Sequence, residues 1–122
     1  MLSDYQDQAL ELLEDHLFDD PAVTESITWK LYKGHSEAAQ QITIPDAALV
    51  RLEIGEVELE NGVKRQQAEY SYLIKASSLT DGVTVSDLTR NDKLRRSGKD
   101  LTVVELNKTF PYAVFVRAVG TM

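Results

Sequence analysis

Few residues in this chain have the types and spacing that chemistry needs. The imidazole inventory is His16 and His35, and cysteine is absent. Without cysteine there is no thiolate nucleophile, no thiolate metal ligand and no disulfide scaffold. A zinc site wants three or four convergent Cys, His or carboxylate ligands; no such set is visible, and His35 lacks nearby acids at metal spacing. His16 falls beside an apolar helical stripe, where packing or capping accounts for it; His35 follows Gly34 in an expected turn. Ser36 beside His35 lacks an orienting acid, so the two do not make a triad. No nucleophile elbow, phosphate-binding glycine loop or dinucleotide fingerprint occurs. What remains is charge. Glu56, Glu58 and Glu60 alternate along one strand face, where a carboxylate row is ordinarily solvated. Arg90, Lys93, Arg95, Arg96 and Lys99 crowd into ten positions. Such cations can meet phosphate, but no aromatic set is interleaved for base stacking. The residues point to no catalytic group, cofactor or metal site. They point to a surface.

The 122 residues fit one domain, 1–122, with a modest core. The net charge of −7 is unevenly placed: residues 1–20 hold seven acids and no Lys or Arg, leaving 13 acids against 13 bases in the rest. A neutral body lacks the basic footprint of a duplex-binding domain. No apolar run is long enough for a membrane helix, and the acidic start is unlike a secretory signal.

Ser3 to Gln6 has capping-box spacing. Tyr5, Ala9, Leu12, Leu13 and Leu17 then recur at helical intervals up to Pro21, which predicts a helix over 4–18. A β-rich body follows over 24–119. Thr24 to Lys33 alternates around Ile27, Trp29 and Leu31, a strand with one buried face. Pro45-Asp46 reads as a turn after Ile42 to Ile44. A long hairpin spans about 50–76. Its alternation shifts by one after Gly55, which predicts a bulge there, and Asn61-Gly62 predicts a two-residue type I′ turn that places Glu58 opposite Arg65. The tip, with Lys64, Arg65, Gln66 and Gln67, has no apolar face, so it should protrude. Asp81-Gly82 is a turn signal, one helical turn is expected near 86–90, and Leu101 to Leu106 and Tyr112 to Val119 read as strands. The expected class is α+β, mainly β: an N-terminal helix on a small antiparallel barrel or sandwich of about six strands.

The order of pieces in the last third resembles the small head–tail joining proteins of tailed bacteriophages, of head-closure (stopper) or tail-attachment type. The matching segments are Ala76-Ser77-Ser78-Leu79, Asp92-Lys93-Leu94, Gly98-Lys99 and Tyr112 to Arg117, covering roughly 70–119. The chain departs from that pattern at Asn91, where glycine is usual, and at Leu101, where an aromatic is commoner. The resemblance implies a non-enzymatic virion component, found in the host cytoplasm during assembly. It would form a homo-oligomeric ring between portal or adaptor and tail proteins, close to DNA and away from membranes. On this reading Arg95, Arg96 and Lys99 are candidate subunit contacts. Glu56, Glu58, Glu60, Lys64 and Arg65 form a channel-lining or docking hairpin. The alternative is a soluble OB- or SH3-like module that binds nucleic acid or peptide.

Overall fold

The computed structural model describes residues 18, 20–34, 37–58, 60–110 and 112–121. Six strands follow in chain order: β1 (Thr24–Leu31), β2 (Gln40–Glu58), β3 (Lys64–Lys75), β4 (Lys93–Arg96), β5 (Lys99–Asn107) and β6 (Ala113–Thr121). Around the sheet they run β1-β2-β3-β6-β5-β4 and close into a barrel. The closing seam is short, with Thr28, Trp29 and Lys30 of β1 antiparallel to Arg95, Leu94 and Lys93 of β4.

The α+β expectation is thereby corrected to an all-β barrel, and the choice between barrel and sandwich resolves to the former. Among the described residues, helical structure between the strands amounts to two three-residue 3-10 turns, Ala76–Ser78 and Val85–Asp87. The helix was expected to cover an open side of the β-core, and a sheet closed through β1 and β4 has no open side. The span 4–18 lies outside the described residues except for Phe18, which is buried with the Lys75 ammonium 5.3 Å from its ring centre. Among the described residues no helix is long and apolar enough to cross a membrane.

Alternation along each strand fills the interior. Ile27, Trp29 and Leu31 of β1 meet Ile42 and Ile44 of β2, Tyr72 and Ile74 of β3, Leu94 of β4, Leu101 and Val103 of β5, and Val114 and Val116 of β6. The β3–β4 connection adds Val83 and Leu88 to the same cluster, so that loop is part of the core. At ~25 cal/mol per Å² of apolar surface removed from water, a large side chain such as Trp29, fully buried here, is among the strongest single contributors.

Pro45-Asp46 is not a turn. β2 runs through both residues, and the register against β1 shifts there, from Ile27↔Ile44 to Glu25↔Ala47. At an irregular step the missing proline N–H costs no ladder bond. Asp46 is held by the Lys75 ammonium at 3.0 Å and the Ser78 hydroxyl at 2.7 Å.

β2 and β3 outrun the barrel. β1 accompanies β2 only as far as Ala48, and β6 accompanies β3 only from Gln67 onward. Beyond those points the two strands pair with each other alone, which makes an arm. The bulge in β2 sits between Leu49 and Arg51, below the arm and not at Gly55, and from Arg51 to Glu58 the register runs unbroken. An exposed strand has no buried face to mark its parity, so the sequence alternation misplaced the bulge. The turn differs as well. Glu58 pairs with Lys64, and Val57 with Arg65, so Glu58 is one residue out of the expected register. Type I′ needs positive φ at both central residues, and at this tip Gly62 has it while Asn61 does not. Asn61 instead accepts a hydrogen bond from the Val63 amide through its side chain, at 3.1 Å.

Candidate functional site

Antiparallel connectivity brings every charged candidate to one end of the barrel. The arm, the β4–β5 turn and the last residues of β6 all emerge there, while the β1–β2, β3–β4 and β5–β6 connections lie at the other end. Glu56, Glu58, Glu60, Lys64 and Arg65 project on the arm, all exposed, and Arg95, Arg96 and Lys99 flank the turn.

The turn has the geometry expected elsewhere. Ser97 and Gly98 both have positive φ, 51° and 79°, between the paired residues Arg96 and Lys99, as a two-residue type I′ loop requires. Arg95 is exposed, 3.5 Å from the Gly98 carbonyl and 3.9 Å from an Asp100 oxygen. Lys99 is exposed and makes no ion pair among the described residues.

Arg96 is different: its charge is already used inside the subunit. Its Nε and Nη2 donate to the two Glu25 oxygens at 2.6 and 3.0 Å, and its guanidinium lies 4.8 Å from the Tyr70 ring centre. The Tyr72 hydroxyl donates to the same carboxylate. Burial alone would raise the Glu25 pKa, but the bonds from Arg96 and Tyr72 together outweigh it and hold the carboxyl below its ordinary value. Burial, then the adjacent Glu25, pushes the Tyr72 phenol well up, and the Glu25 hydrogen bonds push the Arg96 pKa up. This bidentate pair knits the start of β1 to the end of β4, just beyond the short seam. Beside it opens a hollow of about 260 Å³ lined by Tyr70, Arg96, Lys99, Leu101 and Gly120.

Along the arm, the register places Leu52, Ile54, Glu56 and Glu58 on the face that continues the barrel interior. Leu52 is 47% and Ile54 57% exposed, and Val50 in the bulge and Val63 at the tip are open as well. Glu60 belongs to the turn, so the expected carboxylate row reduces to Glu56 and Glu58. On the opposite face Glu53 stands across from Glu69. Like charges so placed repel, and Arg51 on Glu53 and Arg117 on Glu69, the latter at 3.0 Å, offset this. Above Gly55 an open groove of about 610 Å³ is lined by Glu53, Glu56, Gln67, Glu69 and Val119. Among the described residues no group of three or more His, Asp or Glu side chains is placed to hold a metal ion.

Sequence reasoning passed over Asp92, the buried charge of the barrel. Its Oδ2 accepts from the Trp29 indole at 3.0 Å and from the Thr89 amide at 2.9 Å, and its Oδ1 accepts from the Tyr32 amide at 3.1 Å. The Asp92-Lys93-Leu94 segment quoted for the phage resemblance therefore has a structural part here. The aspartate ties the entry of β4 to β1. A lone tryptophan on a strand, needing a partner for its N–H, was the available signal.

No protein-family model matches this chain, and no curated protein matches it.

Proposed function

We propose that the protein is a non-enzymatic virion component. It assembles as a ring at the head–tail junction of a tailed phage or prophage, closing or extending the DNA channel and docking the tail. The observation that carries this reading is the arm. A filled barrel spends none of its interior on a ligand, while β2 and β3 extend past it with charged and apolar side chains turned outward. Projections of this kind suit contact with other large molecules more than catalysis on small ones. The ordered pieces between 70 and 119 add the resemblance described above.

A nucleic-acid-binding barrel is the alternative, and it asks for a basic groove with exposed aromatics. Phe110 is the exposed large aromatic among the described residues, and it lies in the β5–β6 connection, at the end of the barrel opposite Arg95, Arg96 and Lys99. The surface favours the ring. The test is genetic: deleting the gene from its phage or prophage should give DNA-filled heads that fail to join tails, with tailed particles restored by the protein in trans. Infectious tailed particles made without it overturn the proposal.

A further inference from the structure

We infer that the arm of one copy docks against the β4–β5 turn of a second copy, with Glu56 and Glu58 facing Arg95 and Lys99. This rests on the ring reading and names the two surfaces that join. Pairing within a subunit uses most of the charge around the barrel mouth. Arg96 takes Glu25, Arg117 takes Glu69 and Glu105, Arg51 takes Glu53, and Lys30 takes Asp100 at 3.0 Å. Glu56 and Glu58 are left without an ion pair among the described residues, and so are Lys99 on the turn and Lys64 and Arg65 on the arm, Lys64 standing opposite Glu58 in the register. Arg95 reaches only Asp100, at 3.9 Å, and shares it with Lys30.

The unspent charge of the turn is thus all basic, while the arm carries Glu56, Glu58 and Glu60 against Lys64 and Arg65 and keeps an excess of acid, and no ion pair among the described residues joins arm to turn within a copy. A turn-to-turn contact would set cation against cation, which is destabilising, and an arm-to-arm contact would add the arm's excess of carboxylate to itself. Arm to turn is the pairing that offsets that excess. It is heterologous: each copy offers one arm and one turn, so the contact repeats and closes into a ring when the rotation allows. Leu52 and Ile54 share the arm face of Glu56 and Glu58, so the same contact removes exposed apolar surface from water.

The experiment mixes two charge-reversed proteins, one carrying Glu56→Lys and Glu58→Lys, the other Arg95→Glu and Lys99→Glu. Arm-to-turn contact is repulsive within either variant and attractive between them. Sedimentation velocity at high protein concentration and low salt should find each variant alone associating at least tenfold more weakly than wild type, and the mixture recovering. Circular dichroism checks that both stay folded. As the native chain has no cysteine, Glu58→Cys mixed with Lys99→Cys gives a second readout: a disulfide-linked dimer in excess of either variant alone. Wild type that associates while the reversals change nothing overturns the docking surfaces and leaves the ring reading standing. Wild type and mixture that both stay monomeric, with no trapped dimer, overturn both.

Discussion

Replacing Asp92 by alanine removes one side chain and leaves three donors without their acceptor: the Trp29 indole and the backbone amides of Thr89 and Tyr32. The indole is fully buried, so it bears the desolvation cost of an unmade bond, about 1–3 kcal/mol. The two amides lie in part-buried surroundings, where water can reach them, and each loses about 0.5–1.5 kcal/mol. The combined loss is roughly 4 kcal/mol. At an unfolding entropy of about 2.1 cal/mol/K per residue, that lowers Tm by roughly 16 °C for 122 residues. Asp92→Asn should fall about halfway. Its carbonyl can keep the place of Oδ2 and serve Trp29 and Thr89, while its amide group then faces the Tyr32 N–H, donor to donor. Scanning calorimetry of the three proteins at pH 7 measures this. A drop below about 4 °C for the alanine variant, or an asparagine variant as damaged as the alanine one, would show that the carboxylate is not the acceptor that holds this corner.

Glu25 and Asp46 both titrate below their ordinary values in the folded chain, burial being outweighed by Arg96 and Tyr72 in one case and by Ser78 and Lys75 in the other. Between folded and unfolded values the unfolded chain binds more protons, so their stabilisation is present above about pH 4.5 and lost as pH falls below it. Glu25→Gln should therefore be less stable than wild type at pH 7 yet lose less Tm between pH 5 and pH 3; an unchanged acid slope refutes the assignment. Gly98→Ala, at φ 79°, should cost about 1–2 kcal/mol. Gly55→Ala, in extended backbone with open space around it, should be neutral or stabilise by up to ~1 kcal/mol in urea melts, and a loss there would return the bulge to Gly55. Hydrogen exchange should find the arm amides of 56–66 far less protected than those of Val103 and Val116, because beyond Gln67 the arm is a two-stranded ribbon. Equal protection contradicts that.

What could be read from the sequence was local. Ile27, Trp29 and Leu31 marked β1 by alternation alone, and the tip residues Lys64 to Gln67 marked an arm because they offered nothing to bury. Partners distant along the chain were out of reach. Arg96 looks like one more exposed cation until Glu25, 71 residues away, is found beside it. Asp92 looks like a solvated turn residue until Trp29 reaches it. The same limit explains Pro45-Asp46, whose turn signal yields to a strand because Lys75 and Ser78 wait for the aspartate. The bulge was misplaced for a different reason: on an arm exposed on both faces, parity carries no energetic penalty. The helix expected at 4–18, and the acidic surface attached to it, lie outside the described residues.

Closure through so few paired residues also sets an order of events for the chain. Neighbouring strands β2–β3 and β4–β5 can form as hairpins from nearby residues, whereas the seam must bring Trp29 to Asp92 across 63 positions. Loop-closure entropy makes that the costly meeting, and small all-β barrels of this kind fold on the millisecond-to-second scale. The chain's single tryptophan stands in the seam itself. Its emission therefore acts as a clock for the last step of assembly, shifting to the blue when the circle of strands shuts and to the red when it first springs open.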